Sequence, residues 1–173
     1  MNRRRLEAEA IRDSILQVSG KLNLEMHGVG FDFFNQKGGL SDYVPKTIFD
    51  PSGHRRMVYA TKIRMQPIDV FGAFDCPDAG QMIAKRTRSI TPLQALNLLN
   101  SDFVMRHAEF FAERVHAEVG GEPTPCVKRA MQLALARLPT KEEERHLGRL
   151  YERFGLPQVC RVLLNTNEFV FLQ

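Results

Sequence analysis

The chain lacks most of the signatures that would name a chemistry. It has no Gly-rich phosphate loop and no His-Glu-x-x-His, so neither nucleotide cradling nor metalloprotease chemistry is written into it. No Cys-x-x-Cys-His occurs, which excludes a c-type haem attached within these residues. No window approaches the roughly 18 apolar residues that a membrane-spanning helix needs. Arg3-Arg4-Arg5 could open a secretory signal, but Leu6 to Asp13 is too charged to be its apolar core. Cysteine is scarce: Cys76, Cys126 and Cys160 lie far apart and show no metal-ligand spacing. Buried free thiols are the favoured reading, and one disulfide stays open in an oxidising compartment.

What remains is ordinary globular material. The 173 residues are 43% hydrophobic and 25% charged, with a net charge of +4. That length suits one domain, 1–173, with a possible helical sub-lobe over 122–173. The mild positive excess permits an anionic partner, nucleic acid included, without requiring one. One phrase is written twice: Pro92 to Asp102, with Leu98-Leu99-Asn100-Ser101, is echoed by Pro157 to Asn167, with Leu163-Leu164-Asn165-Thr166. Each copy opens on Pro and closes on Leu-Leu-Asn, so each marks a helix and its end.

The fold expected is mainly α: about six helices, a long irregular loop, and at most one or two short strands. An apolar stripe of Leu6, Ile11, Ile15 and Val18 predicts a helix from Arg4 to Val18, ended by Gly20. Glycines and prolines break the periodicity from 21 to 55, while Phe31, Phe33, Phe34, Tyr43 and Phe49 predict a loop pinned by aromatics. Alternation over Arg56 to Met65 predicts a strand whose partner comes from that loop, from Val70 to Phe74, or from another chain. Beyond Pro77 the pattern is helical, with helices expected at 92–99, 102–118, 125–137, 141–154 and from Pro157 to Asn165. Thr91-Pro92-Leu93-Gln94 and Thr140-Lys141-Glu142-Glu143 both read as capping boxes.

Two constellations could carry chemistry. Lys85, Arg86 and Arg88 stand just before the helix that starts at Pro92, capped by Thr91, where free N–H groups and two guanidiniums would suit a sulfate, phosphate or carboxylate. The plainer reading pairs these arginines with Asp75 or Asp78 to hold the preceding loop. Asp75 and Asp78 could be an acid/base pair or hard-cation ligands, but around Pro77 a turn role is favoured. His107 and His116 fall on opposite helix faces and cannot share a metal. Asn100 and Asn165 are expected as C-caps, or as partners across a pseudo-symmetric helix pair.

Five segments carry a resemblance: Arg4 to Asp13, Phe74-Asp75-Cys76-Pro77-Asp78, Arg86 to Asn100, Ala136 to Thr140, and Leu163 to Phe169. Together they resemble the planctomycete PSD-one domain, a domain of unknown function, and this chain looks like its C-terminal portion. Many family members carry a Cys near Ile83, which this chain lacks, so no shared disulfide or metal role is carried over.

The resemblance implies a module within a larger, exported, periplasmic or extracytoplasmic parent. Any haem would lie in an upstream cytochrome c-like domain, with no cofactor in this chain, and the setting would be carbohydrate-related. Its expected partners are those upstream domains and an anionic polysaccharide at Arg86, Arg88 and Thr91. The rival expectations are a hydrolase or redox site shared with the upstream domains, lined by Asp75, Asp78 and the loop 21–55, and, more weakly, nucleic-acid binding.

Overall fold

The computed structural model describes residues 4–35, 44, 46, 48–63, 69–77, 84–86 and 88–172. Six helices of nine residues or more make up the mainly α body: α1 (Ala8–Val18), α3 (Pro92–Asn100), α4 (Asp102–Val119), α5 (Pro123–Leu135), α6 (Lys141–Phe154) and α7 (Leu156–Leu164). Two four-residue helical turns complete the set among the described residues, α2 (Asp69–Gly72) and α8 (Asn167–Val170). Among the described residues no helix is long and apolar enough to cross a membrane.

Local signals set most of these ends. Thr140 and Glu143 form the expected capping box of α6, and Gly120, at φ +82°, ends α4. The helix expected at 125–137 starts two residues earlier, because Pro123 takes its first turn, and stops at the left-handed Ala136. Ser101 serves twice, as C-cap of α3 and N-cap of α4, so the first copy of the doubled phrase bends sharply between two helices.

The core gathers on α4, against which α7 packs most closely, with α5 and α6 beside them. Val104, Phe111 and Val115 from α4 meet Val127 and Met131 from α5 and Val159, Leu163 and Leu164 from α7. Cys126 and Cys160 are buried here as free thiols, and Cys76 is a half-buried one. Burial pushes all three thiols up, which makes them poor nucleophiles.

The N-terminal reading needs correction. Arg4–Arg5 is not helix but a short strand, β1, paired antiparallel with β4 (Phe171–Leu172), Arg4 opposite Leu172. Leu6 extends the pairing by donating its N–H to the Val170 carbonyl at 2.8 Å. The strand at Arg56 to Met65 is also shorter than expected. Met57–Tyr59 is a 3-10 turn, Arg64 and Met65 lie outside the described residues, and of the rest only Ala60–Thr61 is strand, as β3. Its partner comes from the preceding loop: β2 (Phe31–Asp32), in parallel register. Gly30 sits so close to the Tyr59 carbonyl that a Cβ there would collide with it. The alternative partner segment begins instead as the helical turn α2.

Phe31, Phe33 and Phe49 pack as ring pairs with centroids 5.3–6.5 Å apart, so aromatics do hold the loop; Tyr43 lies outside the described residues. Two arginines finish the work. Arg12 of α1 is fully buried, and it donates to the carbonyls of Gly53 and Arg55 at 2.6 and 2.9 Å. Its guanidinium lies 4.9–5.6 Å from the ring centroids of Phe31, Phe33 and Phe103. Arg55 donates to the carbonyls of Glu25, His27 and Val29 and covers the Tyr59 ring. A loop with only a two-residue ladder must still satisfy its other buried carbonyls, and here guanidiniums do so.

Candidate functional site: a cationic cavity beside an arginine–aspartate clasp

Arg86 and Arg88 do not reach Asp75. They are held by the start of α1: Arg86 is 3.0 Å from both Glu7 and Glu9, and Arg88 is 3.2 Å from Glu7. The segment is therefore tied down as the plainer reading expected, but by different carboxylates. Burial pushes Glu9 up, yet the Arg86 hydrogen bonds outweigh it and leave its pKa below the ordinary carboxylate value. Around these pairs lies an open cavity of ≈ 700 Å³ lined by Arg4, Glu7, Lys85, Arg86 and Arg88. Arg4 and Lys85 have no carboxylate partner among the described residues, so the cavity keeps unmatched positive charge.

Thr91 is not part of that cavity. Its N–H donates to Gln94 Oε1 at 3.3 Å, and the Gln94 N–H turns back to the Thr91 carbonyl. Pro92 has no N–H to offer. The helix start that looked free for an anion is thus largely closed by its own capping, and the anion site as read from sequence divides. Its two arginines line the cationic cavity, while Thr91 lines a neighbouring one.

Asp75 forms a clasp instead of bonding its own turn. One oxygen takes Arg5 at 2.6 Å and the Ser89 N–H at 2.7 Å, and the Ser89 hydroxyl donates to the carboxylate at 3.0 Å. Arg5, itself buried, also donates to the carbonyls of Ser89, Leu6 and Phe74. Gln94 completes the network through Nε2, reaching the Ala73 carbonyl at 3.0 Å and Ser89 Oγ at 2.9 Å. The Asp75 oxygens are committed to donors, which leaves little for acid/base work or a metal; Asp78 lies outside the described residues. Asp75→Asn should cost about 2 kcal/mol, because a buried guanidinium loses its counter-charge. A urea midpoint indistinguishable from wild type would refute the clasp.

The remaining polar clusters are structural. His107 Nδ1 lies 3.1 Å from Ser19 Oγ, but that hydroxyl also donates to the Leu16 carbonyl, and both residues are buried. With its proton already given to a carbonyl, Ser19 cannot hand one to the imidazole, so the pair is not an activated nucleophile. No group of three metal-ligating side chains gathers among the described residues.

Arg137 makes a second clasp, two-pronged to Glu143 of α6 and Glu168 of α8 at 2.6–2.9 Å, which holds both carboxyls below their ordinary range, Glu143 at about 2. Asn100 and Asn165 do not meet. Arg161 of the second copy reaches the first, donating to the Leu99 carbonyl at 2.7 Å and to Asn100 Oδ1 at 3.4 Å.

Arg4, Glu7 and Glu9, and the clasp residues Arg5 and Ser89, were not singled out as site residues by sequence reasoning; Lys85 was read beside Arg86 and Arg88, and Gln94 only as a capping residue. The one available signal was the Arg4-Arg5-Leu6-Glu7-Ala8-Glu9 alternation of charge at the start of α1.

The fold and site thus define a helical domain whose distant segments are tied by arginine–carboxylate clasps. Residues 1–151 match the family described as PSD1, protein of unknown function (DUF1553), and the chain belongs to that family. No curated protein and no solved structure matches it.

Proposed function

We propose that this domain is a non-catalytic interaction module of an exported, cytochrome c-associated multidomain protein, and that it holds an anionic glycan in the cavity of Arg4, Lys85, Arg86 and Arg88. The observation that carries the binding site is the charge balance at that cavity: four cations face the carboxylates of Glu7 and Glu9, and Arg4 and Lys85 have no carboxylate partner among the described residues. The exported setting rests on the family resemblance. Glu7 and Glu9 support the site, because they hold Arg86 and Arg88 in place and lower the entropy lost when a ligand engages them.

The test is elution from immobilised polygalacturonate and from heparin. The wild-type chain should be retained on at least one, and Arg4→Gln with Lys85→Gln should release it at clearly lower salt. Arg86→Ala with Arg88→Ala should abolish retention, since Glu7 and Glu9 would then repel the ligand. Unchanged retention in both double variants would sink the site. Equal or tighter binding to duplex DNA at the same salt would favour a nucleic-acid partner instead.

A further inference from the structure

The cationic cavity does not end at Arg86. A second cavity, of ≈ 410 Å³, adjoins it, and Glu7 and Arg86 line both. The second lies between α1, which contributes Glu9, Ala10 and Asp13, and the segment that carries Arg56, Val58 and Lys62. Its charge is different. Glu7, Glu9 and Asp13 stand against Arg56, Lys62 and Arg86, so carboxylates and cations are equal in number. They are also paired: Lys62 is 3.4 Å from Glu9, Arg56 is 3.5 Å from Asp13, and Arg86 is 3.0 Å from Glu7 and from Glu9.

Building on the glycan reading, on which this rests, we infer that the two cavities form one trench along the start of α1. The trench takes a stretch of polysaccharide in which an acidic sugar is followed by a neutral one, the acidic unit in the cationic end and the neutral unit in the balanced end.

Three observations define the neutral unit. The first is the charge balance. A second acidic sugar would gain no net attraction in the balanced end and would face Glu9 and Asp13, whereas a hydroxyl both donates and accepts and is served by carboxylates and cations alike. The second is spare bonding capacity. Each Glu7 oxygen takes one guanidinium, although a carboxylate oxygen can accept two bonds. Arg56 meets Asp13 through Nε and its side chain is 57% exposed, so it keeps N–H groups for a ligand. The third is Val58, 72% exposed on the wall, which offers apolar surface to the C–H face of a sugar ring. The volume falls within the usual range of about 300–1,000 Å³ for small-molecule sites, with room for such a ring. The ion pairs already fix the side chains that would bind it, so little freedom is lost on binding.

The test titrates three probes into the full chain at low salt, followed by NMR: glucuronate, the disaccharide of glucuronate with N-acetylglucosamine, and digalacturonate. The disaccharide should bind about tenfold tighter than glucuronate, the worth of one or two added hydrogen bonds. It should also bind tighter than digalacturonate, which carries twice its charge. Arg4→Gln with Lys85→Gln, which line only the cationic end, should weaken all three probes alike. Ala10→Phe fills the balanced end without changing its charge. It should remove the advantage of the disaccharide and leave glucuronate binding and the urea midpoint as in wild type. Val58→Ser, at an exposed position, should cut that advantage to about threefold. A disaccharide no tighter than glucuronate, an advantage untouched in both variants, or tighter binding of digalacturonate would overturn the neutral end and leave the cationic site standing. Failure of all three probes to bind the wild-type chain would remove the cationic site and the trench together.

Discussion

Arg12→Ala is expected to destabilise the chain by about 4 kcal/mol, a large part of the 5–15 kcal/mol typical of a domain. Three losses combine. The carbonyls of Gly53 and Arg55 lose their donor inside the protein, at roughly 1–3 kcal/mol each if water cannot replace it. The rings of Phe31, Phe33 and Phe103 lose the cation they enclose. The volume of a long, fully buried side chain becomes a cavity. These terms overlap, so their sum exceeds the expected total. Arg12→Met keeps most of the volume and should cost about half as much. Arg12→Lys keeps the charge but not the fork, so it can serve one carbonyl well and should fall between them. Urea unfolding measures all three, and limited proteolysis should find new cleavage between residues 21 and 35 in the alanine variant. A loss under about 1 kcal/mol for Arg12→Ala would show that the loop is held by its aromatics alone.

Stability should also fall with mild acid, chiefly through His107. The ring is buried, and burial with the positive charges of His54, Arg12, Lys21 and Arg106 holds its pKa near 3. In the unfolded chain it returns to the ordinary value of about 6.5. Above that pH both states are neutral and the full stability is present. Below it the unfolded chain takes up a proton that the folded ring refuses, so stability declines progressively towards pH 3. Between pH 7.5 and pH 5 the decline is expected to be about 2 kcal/mol. His54 is displaced in the same direction, for the same first cause, and adds to it. The clasped carboxylates Glu143 and Glu168 enter only below about pH 4.5, so the two contributions separate on the pH axis. Urea midpoints at pH 7.5, 6 and 5 for wild type and His107→Gln check the assignment. An identical pH slope in the variant would remove His107 as its source.

Much of the helical body was legible because helix ends carry local chemistry. Thr91-Pro92, Thr140 with Glu143, and Gly120 act within a few residues of themselves, and their helices fall close to where the spacing put them. The errors sit where a residue acts across the chain. Two arginines give no period-2 pattern, so β1 was absorbed into α1, although Arg5 belongs to a clasp formed 70 residues away. Arg12 did leave a trace: it follows Ile11 and lies one turn from Ala8, on the apolar stripe, where a charge needs a reason. The loop after it is rich in glycine and aromatics, and its carbonyls had no visible donor.

For the candidate site, the importance of Arg86 and Arg88 was readable, but their partners were not. Asp75 was closer in sequence, while Glu7 and Glu9 are about 80 residues away. Proximity along the chain was simply the wrong guide to charge pairing.

The pairing of β1 with β4 bears on the order in which the molecule can be completed. Closing Arg4 onto Leu172 ties a loop of nearly the whole chain, and such closure costs entropy that short-range helix contacts do not. The packing of α4 through α7 needs only residues 102–164, whereas the first strand has nothing to pair with until residues 171 and 172 exist. Arg4 and Arg5 are made before every helix described above, yet their strand contacts are among the last that can close. The β1–β4 pair therefore acts as a final latch.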